Sequence, residues 1–223
     1  MLANRFSLED SAYNLNALAL NRFPSQTSKR NNIALHSAGD ITVTMHDNAS
    51  QERVKLERFV KTLFKRSHDA EIQYFMPDLM ALSEQDGMLM AVCGLRKADQ
   101  EPLFLECYLQ FNIENTISNI EGNAVSRSAI TEIGNLAVAR PENIRCLLAS
   151  INLYLHQTNT DWAVFTGIRT LKNALIKLNI PVLSLGQASI EAIPLNERSG
   201  WGSYYEEKPE VMAIKRIFKL DNF

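Results

Sequence analysis

Two apolar, strand-like runs separated by one helix-length segment constrain this chain most. Residues 129–139 (AITEIGNLAVA) and 162–166 (WAVFT) are rich in β-branched and aromatic residues and carry a single charge between them. Strands this apolar are buried on both faces, which points to the interior of a sheet with parallel neighbours. Between them Pro141 suits the first turn of a helix, and Ile144, Leu147, Leu148, Ile151 and Leu155 recur at helical spacing to about Gln157. Gly167 then opens a second helix with Ile168, Leu171, Ala174, Leu175 and Leu178 inward. Residues 181–185 and 211–218 read as closing strands, and 186–209 as a long loop or a mix of short elements, a length usually tied to function.

The first half has a different rhythm. Residues 41–47 (ITVTMHD) alternate as a strand does, and Asn48 or Ser50 can cap the helix that follows. That helix sets Val54, Leu56, Phe59, Val60, Leu63 and Phe64 inward. Arg53, Lys55, Arg58, Lys61, Lys65 and Arg66 form a basic face, either solvated or presented to a partner. Residues 79–83 and 88–95 flank Asp86-Gly87, a strong hairpin signal. Residues 103–109 open a helix or form a strand, and 111–120 form a helix ended by Gly122. Residues 1–40, polar and rich in Asn and Ser, read as an N-terminal arm, with a single domain over 41–223. The sheet is therefore expected to be mixed, α/β, with helices on both faces.

Composition removes several function classes. Hydrophobic residues are 46% of the 223, enough for a core, and the formal net charge of -2 gives no general pull toward nucleic acid or anionic membrane. No run approaches the length of a membrane-spanning helix, and the N-terminus carries no secretion signal, so a cytoplasmic location is expected. Cys93, Cys107 and Cys146 lie scattered in apolar runs and read as buried, reduced thiols. His36, His46, His68 and His156 show no ligand spacing, so no metal is expected. GxSxG, GxxxxGK[ST] and GxGxxG are all missing from the sequence, which removes serine hydrolase, P-loop and dinucleotide-binding readings.

Three constellations remain. In Glu132-Ile133-Gly134-Asn135-Leu136, strand alternation puts Glu132 and Gly134 on one face and Asn135 on the other. A carboxylate inside a central strand is either a general base with a raised pKa or half of an ion pair, with Arg127 or Arg96 as partner. At 139–145 a helix N-terminus with Arg140 and Arg145 would suit a phosphate, or is an ordinary helix start with solvated arginines. Trp201-Gly202-Ser203-Tyr204-Tyr205 lines a pocket or packs a long loop.

The runs Glu132–Leu136, Trp162–Thr166, Leu171-Lys172-Asn173-Ala174 with Leu178, and Trp201–Tyr205 with Pro209 and Val211–Ala213 resemble the thermostable hemolysin (delta-hemolysin-type) family. Phe75-Met76-Pro77, Asp86-Gly87, Gly94-Leu95-Arg96 and Pro102–Glu106 fit the same pattern, so the resemblance spans about 55–215. It implies a distant similarity to acyl-CoA N-acyltransferases of the GNAT-like fold and to acyl-homoserine-lactone synthases. The implied activity is transfer of an acyl group from an acyl-CoA or acyl-carrier-protein thioester to an amine or alcohol, with no permanently bound cofactor. The implied catalytic residues are Glu132, Asn135 and Tyr204; the implied donor-binding residues are Leu136, Val138, Arg140, Asn143, Arg145, Thr166 and Asn173. Asn135 replaces the Arg of the lactone synthases, and 139–143 lack the glycines of the usual pyrophosphate loop. The family label alternatively implies a membrane-active hemolysin, and the fold alone would also suit an inactive binding module.

Overall fold

A computed structural model describes residues 33–38 and 41–216. Among these, eight strands form one sheet in the order β1-β2-β3-β4-β5-β6-β8-β7. The strands are β1 (Ile33–Ala38), β2 (Ile41–His46), β3 (Asp78–Glu84), β4 (Leu89–Lys97), β5 (Ile130–Val138), β6 (Trp162–Gly167), β7 (Leu183–Gln187) and β8 (Glu210–Lys215). The helices are α1 (Arg53–His68), α2 (Ile113–Glu121), α3 (Asn143–Gln157), α4 (Arg169–Lys177) and the short α5 (Leu195–Arg198). Every described pairing is antiparallel except β5 with β6.

Local chemistry accounts for most boundaries. Asp86-Gly87 turns the β3–β4 hairpin with Gly87 at φ +83 and Asp86 Oδ1 accepting from Met88 N. Gly122, at φ +72, ends α2 by donating to Ser118 O. Residues 103–109 form neither a strand nor an α-helix but a 3-10 turn, Phe104–Tyr108, because side chains rather than a ladder satisfy its first N–H groups.

The two faces of the sheet carry separate cores. On one face Leu147, Leu148, Ile151 and Leu155 of α3 and Leu175 of α4 pack on Cys93, Leu95, Ile133, Ala163 and Phe165. On the other, Leu56 and Val60 of α1 pack on Leu79, Val92 and Ala137, while Ile113 and Ile117 of α2 pack on Ile130 and Val164.

Several expectations need correction. Ile33–Ala38, assigned to the arm, is strand β1 and pairs with β2; residues 1–32 lie outside the described residues. Residues 217–218 of the expected last strand also lie outside them. The alternation in the second half makes only β5 and β6 parallel neighbours. β8 returns between β6 and β7 because its apolar run, Val211–Ile214, needs two ladder partners. Neither Asn48 nor Ser50 caps α1; Ser50 Oγ instead meets His46 Nδ1 at 2.9 Å. Arg53 belongs to the inward stripe of α1 with Leu56 and Val60, whereas Val54, spaced with Arg58, Lys61 and Lys65, is 66% exposed. Of the thiols only Cys93 is buried, and burial pushes it up to about 12; Cys107 is exposed and Cys146 half-buried.

Candidate functional site

The sheet opens at its centre. β5 runs parallel to β6 from the Ile130–Trp162 pair to the Ile133–Phe165 pair and no further. Beyond that point β5 stays with β4 as far as Val138 opposite Ala91, while β6 stays with β8 as far as Gly167 opposite Glu210. The cause is a bulge. Between the Gly94–Gly134 and Val92–Ala137 pairs, Asn135 and Leu136 together face Cys93 alone, and Asn135 takes φ +47. An extra residue bends the bulged strand and raises its twist, so β5 leaves β6. A small apolar cavity of about 10 Å³, room for about one water, lies at this parting. Ile133, Leu136 and Phe165 line it from the strands, and Leu148, Ile151, Leu171 and Leu175 from α3 and α4.

Glu132 precedes the last β5–β6 pair and points to the opposite face. It is 2% exposed. Its Oε1 accepts from Leu105 N at 2.9 Å and its Oε2 from Phe104 N at 3.0 Å, the first N–H groups of the 3-10 turn. Arg96, its cross-strand partner, brings Nη1 to 4.0 Å. Burial raises the carboxyl to about 7, against the pull of those two N–H groups and of Arg96. Arg127, the other partner weighed, is committed elsewhere: it holds Glu106 at 2.6 Å and Glu114 at 2.7 Å. Glu106 also accepts from Leu103 N and Ile113 N, so the two carboxylates between them fix the 3-10 turn.

The bulge corrects the facing of Asn135. Simple alternation sets it opposite Glu132, but the left-handed backbone turns it to the same face. There its Oδ1 accepts from Met76 N at 2.9 Å and its Nδ2 donates to Tyr74 O at 3.1 Å. Asn135 thus grips the irregular segment that joins α1 to β3. Arg53 grips it from the other side, donating from Nη1 to Pro77 O at 2.8 Å and from Nη2 to Met76 O at 2.6 Å. Sequence reasoning assigned no site role to Arg53 or Met76. The signal for Met76 was Gly94 and Gly134, two glycines on neighbouring strands.

Tyr204, buried in the 3-10 turn Tyr204–Glu207, donates its hydroxyl to Thr166 O at 3.3 Å, at the end of β6. The structure therefore joins two of the expected site residues, and burial pushes the phenol up. Around Tyr204, the rings of Phe64, His68, Trp201 and Tyr205 lie 5.3–6.5 Å away, and Phe104 stacks on Trp201 at 6.0 Å. The hydroxyls of Tyr108 and Tyr205 are hydrogen-bonded to one another. The Trp201–Tyr205 loop thus packs on the turn that holds Glu132.

Leu136 and Val138 flank the parting on β5, half-buried against the α3 and α4 core. Asn143 is buried and structural, its Nδ2 donating to Met90 O at 3.1 Å and so tying the start of α3 to β4. Arg140 and Arg145 are exposed beside it and enter no ion pair among the described residues. Asn173 is exposed on α4. On the basic face of α1, Lys65 pairs with Asp69 and Glu71, Lys55 with Glu52, and Lys61 sits 5.5 Å over the Phe75 ring. Exposed Arg58 and Arg66 keep that face basic. Among the described residues no helix is long and apolar enough to cross a membrane.

The chain belongs to the thermostable hemolysin family, whose sequence model matches residues 46–217. No curated protein matches it in sequence. Among solved structures it is similar to the AHL synthase LasI, with TM-score 0.54 and 13% identity over 80% of this chain and 92% of that one. It is similar to FeeM, an N-acyl amino acid synthase from uncultured soil microbes, with TM-score 0.51 and 13% identity over 78% and 89% of the two chains. It is also similar to BjaI, a CoA-dependent acyl-homoserine lactone synthase solved with SAM and isopentyl-CoA, with TM-score 0.51 and 12% identity over 75% and 78%. At such identities the likeness is one of fold, and that fold is GNAT-like.

Proposed function

We propose that this member of the thermostable hemolysin family is an acyltransferase, moving an acyl group from a CoA or acyl-carrier-protein thioester to an amine or alcohol. One observation carries the reading: the bulge-driven parting of β5 from β6, with a small apolar cavity on one face and a carboxylate of pKa about 7 on the other. The acyl chain enters at this cavity, which must widen between β5 and the helices α3 and α4 to receive it. A backbone N–H at the bulge, where one residue of β5 lacks a ladder partner, polarises the thioester carbonyl. Glu132 takes the proton as the acceptor's nitrogen or oxygen bonds to the carbonyl carbon; the C–S bond then breaks. Tyr204, on Thr166 O at the end of β6, returns a proton to the departing thiolate. Arg140 and Arg145 hold the donor's phosphate at the start of α3, and Arg58 and Arg66 on α1 suit an acidic carrier protein. Asn135 serves by positioning. The solved synthases of the same fold, one holding isopentyl-CoA, support a thioester donor.

The test is thiol release from acyl-CoA and acyl-carrier-protein series of graded chain length, with mixed amines and alcohols. Wild type should release thiol in step with new amide or ester, and Glu132→Gln should retain under about 1% of it, the scale of general-base loss. No release above spontaneous hydrolysis from any donor would end the reading.

A second reading, a binding module without turnover, is favoured by one observation: both Glu132 oxygens already accept backbone N–H bonds. On that reading Glu132→Gln changes stability and leaves thioester binding as in wild type.

A further inference from the structure

Gly94 and Gly134 face each other across the β4–β5 pair, two register positions beyond the Arg96–Glu132 pair and so on the same sheet face. With no side chain on either strand, the face carries a slot beside Glu132. Met76 fills it from above. A Cβ on Gly94 would stand 2.6 Å from Met76 Cβ and Cγ, and a Cβ on Gly134 would overlap Met76 Cε. The side chain therefore lies along the slot, its root over β4 and its methyl tip over β5. Gly134 is also the first β5 residue past the last β5–β6 pair. The tip of Met76 thus stands where the two strands part, on the face that carries the carboxylate.

The backbone that delivers this tip is fixed. Arg53 holds the carbonyls of Met76 and Pro77, and Asn135 holds Met76 N and Tyr74 O. The same segment is tied to the aromatic loop, where Glu71 N donates to Gly200 O at 2.6 Å and Ser203 N to His68 O at 2.8 Å. Met76 is 8% exposed. A rigid main chain thus ends in an unbranched thioether, which fills irregular space and yields more readily than a branched side chain.

Resting on the acyl-transfer reading of Glu132, we infer that this slot is the acceptor subsite and that Met76 determines its specificity. A nucleophile that gives its proton to Glu132 brings its own carbon substituent against the same sheet face, and the slot gives it room when the Met76 thioether swings aside. Displacement of the Met76 tip alone makes room for a small, unbranched primary amine and not for branched or aromatic ones. Each methylene of misfit in such a wall is worth roughly 10–200-fold in discrimination.

The full-length protein is assayed with a medium-chain acyl-CoA and ethylamine, isobutylamine or phenethylamine. Wild type should favour ethylamine, and Met76→Ala should shift the ratio of kcat/KM toward phenethylamine by at least about tenfold. Adding Gly134→Ala to Met76→Ala puts a methyl back where Cε lay and should restore the wild-type ranking. Met76→Leu, which keeps bulk but not reach, should fall between and serves if the alanine variant does not fold. An unchanged ranking in an active, folded Met76 variant overturns the inference. If wild type acylates none of these amines, the wider donor and acceptor series decides the acyl-transfer reading, and benzene decides the recess: Met76→Ala should gain a benzene-dependent rise in Tm that wild type and the double variant lack. Without that gain Met76 is not the wall of an accessible recess and the inference falls.

Discussion

Asn135 and Met76 meet across the sheet face although 59 residues separate them in the chain: the Asn135 amide oxygen accepts the Met76 N–H at 2.9 Å. The bond exists because the β5 bulge gives Asn135 a left-handed backbone, one that Asn tolerates better than most residues. Asn135→Ala should therefore lose the acceptor of a part-buried N–H and the donor to Tyr74 O, and strain the bulge, for about 2 kcal/mol in all. Asn135→Gly keeps the backbone freedom and loses only the bonds, so it should be the milder of the two. Urea unfolding of both variants checks the order; alanine milder than glycine would show that the bulge, not the grip on Met76, is misread.

Glu132 should make stability fall with rising pH. Its folded pKa of about 7 exceeds the ordinary carboxyl value of 4.5, so between those values the folded chain holds a proton that the unfolded chain has released. The contribution is fully present below about pH 4.5 and is lost as pH rises through about 7. Activity should run the other way, because a base works deprotonated. The difference in unfolding free energy between wild type and Glu132→Gln should thus change between pH 5 and pH 8, in favour of the variant at the higher pH. A difference independent of pH would mean that the carboxyl titrates as an ordinary one.

Glu106 works in the opposite sense. Hydrogen bonds from Arg127 hold its carboxyl down at about 2, helped by the N–H groups of Ile113 and Leu103. Stability from this depressed carboxyl is present above about pH 4.5 and disappears as pH falls toward about 2. Arg127→Met should move the acid-unfolding midpoint, followed by circular dichroism, to higher pH. It should also loosen the turn that presents Phe104 N and Leu105 N to Glu132, so transfer should drop with it. An unmoved midpoint would remove Arg127 from the support of that turn.

Direct membrane lysis is the other activity the family label suggests, and α1 is the segment to test. Leu56 and Val60 of α1 are at most 2% exposed, with Phe59, Leu63 and Phe64 packed against the same core. A surface-seeking helix keeps its apolar face free. The purified protein should therefore release no dye from lipid vesicles, with or without anionic lipid. Substrate-independent release that vanishes in a folded Phe59→Ser/Leu63→Ser variant would replace the enzyme reading with membrane attack.

The sequence alone determined what is local. Asp86-Gly87 specified a hairpin and Gly122 a helix end because turn and cap chemistry involve only neighbouring residues. The apolar runs at 129–139 and 162–166 specified two central strands and their parallel pairing, since that much burial leaves no other place in a sheet. Glu132 stood out for the same reason, as a charge inside such a run. Helical spacing also held Arg53 in register with Leu56 and Val60, although its charge suggested the outer face. Only the tertiary structure decided that β8 enters between β6 and β7, because strand order in a sheet depends on partners distant in the chain. Only it turned Asn135 to the face of Glu132, because one bulged residue reverses a period of two. And only it gave Glu132 its partners, Phe104 N and Leu105 N. Nearly every residue carries the same backbone donor, so no side-chain pattern can announce which N–H groups a buried carboxylate will find.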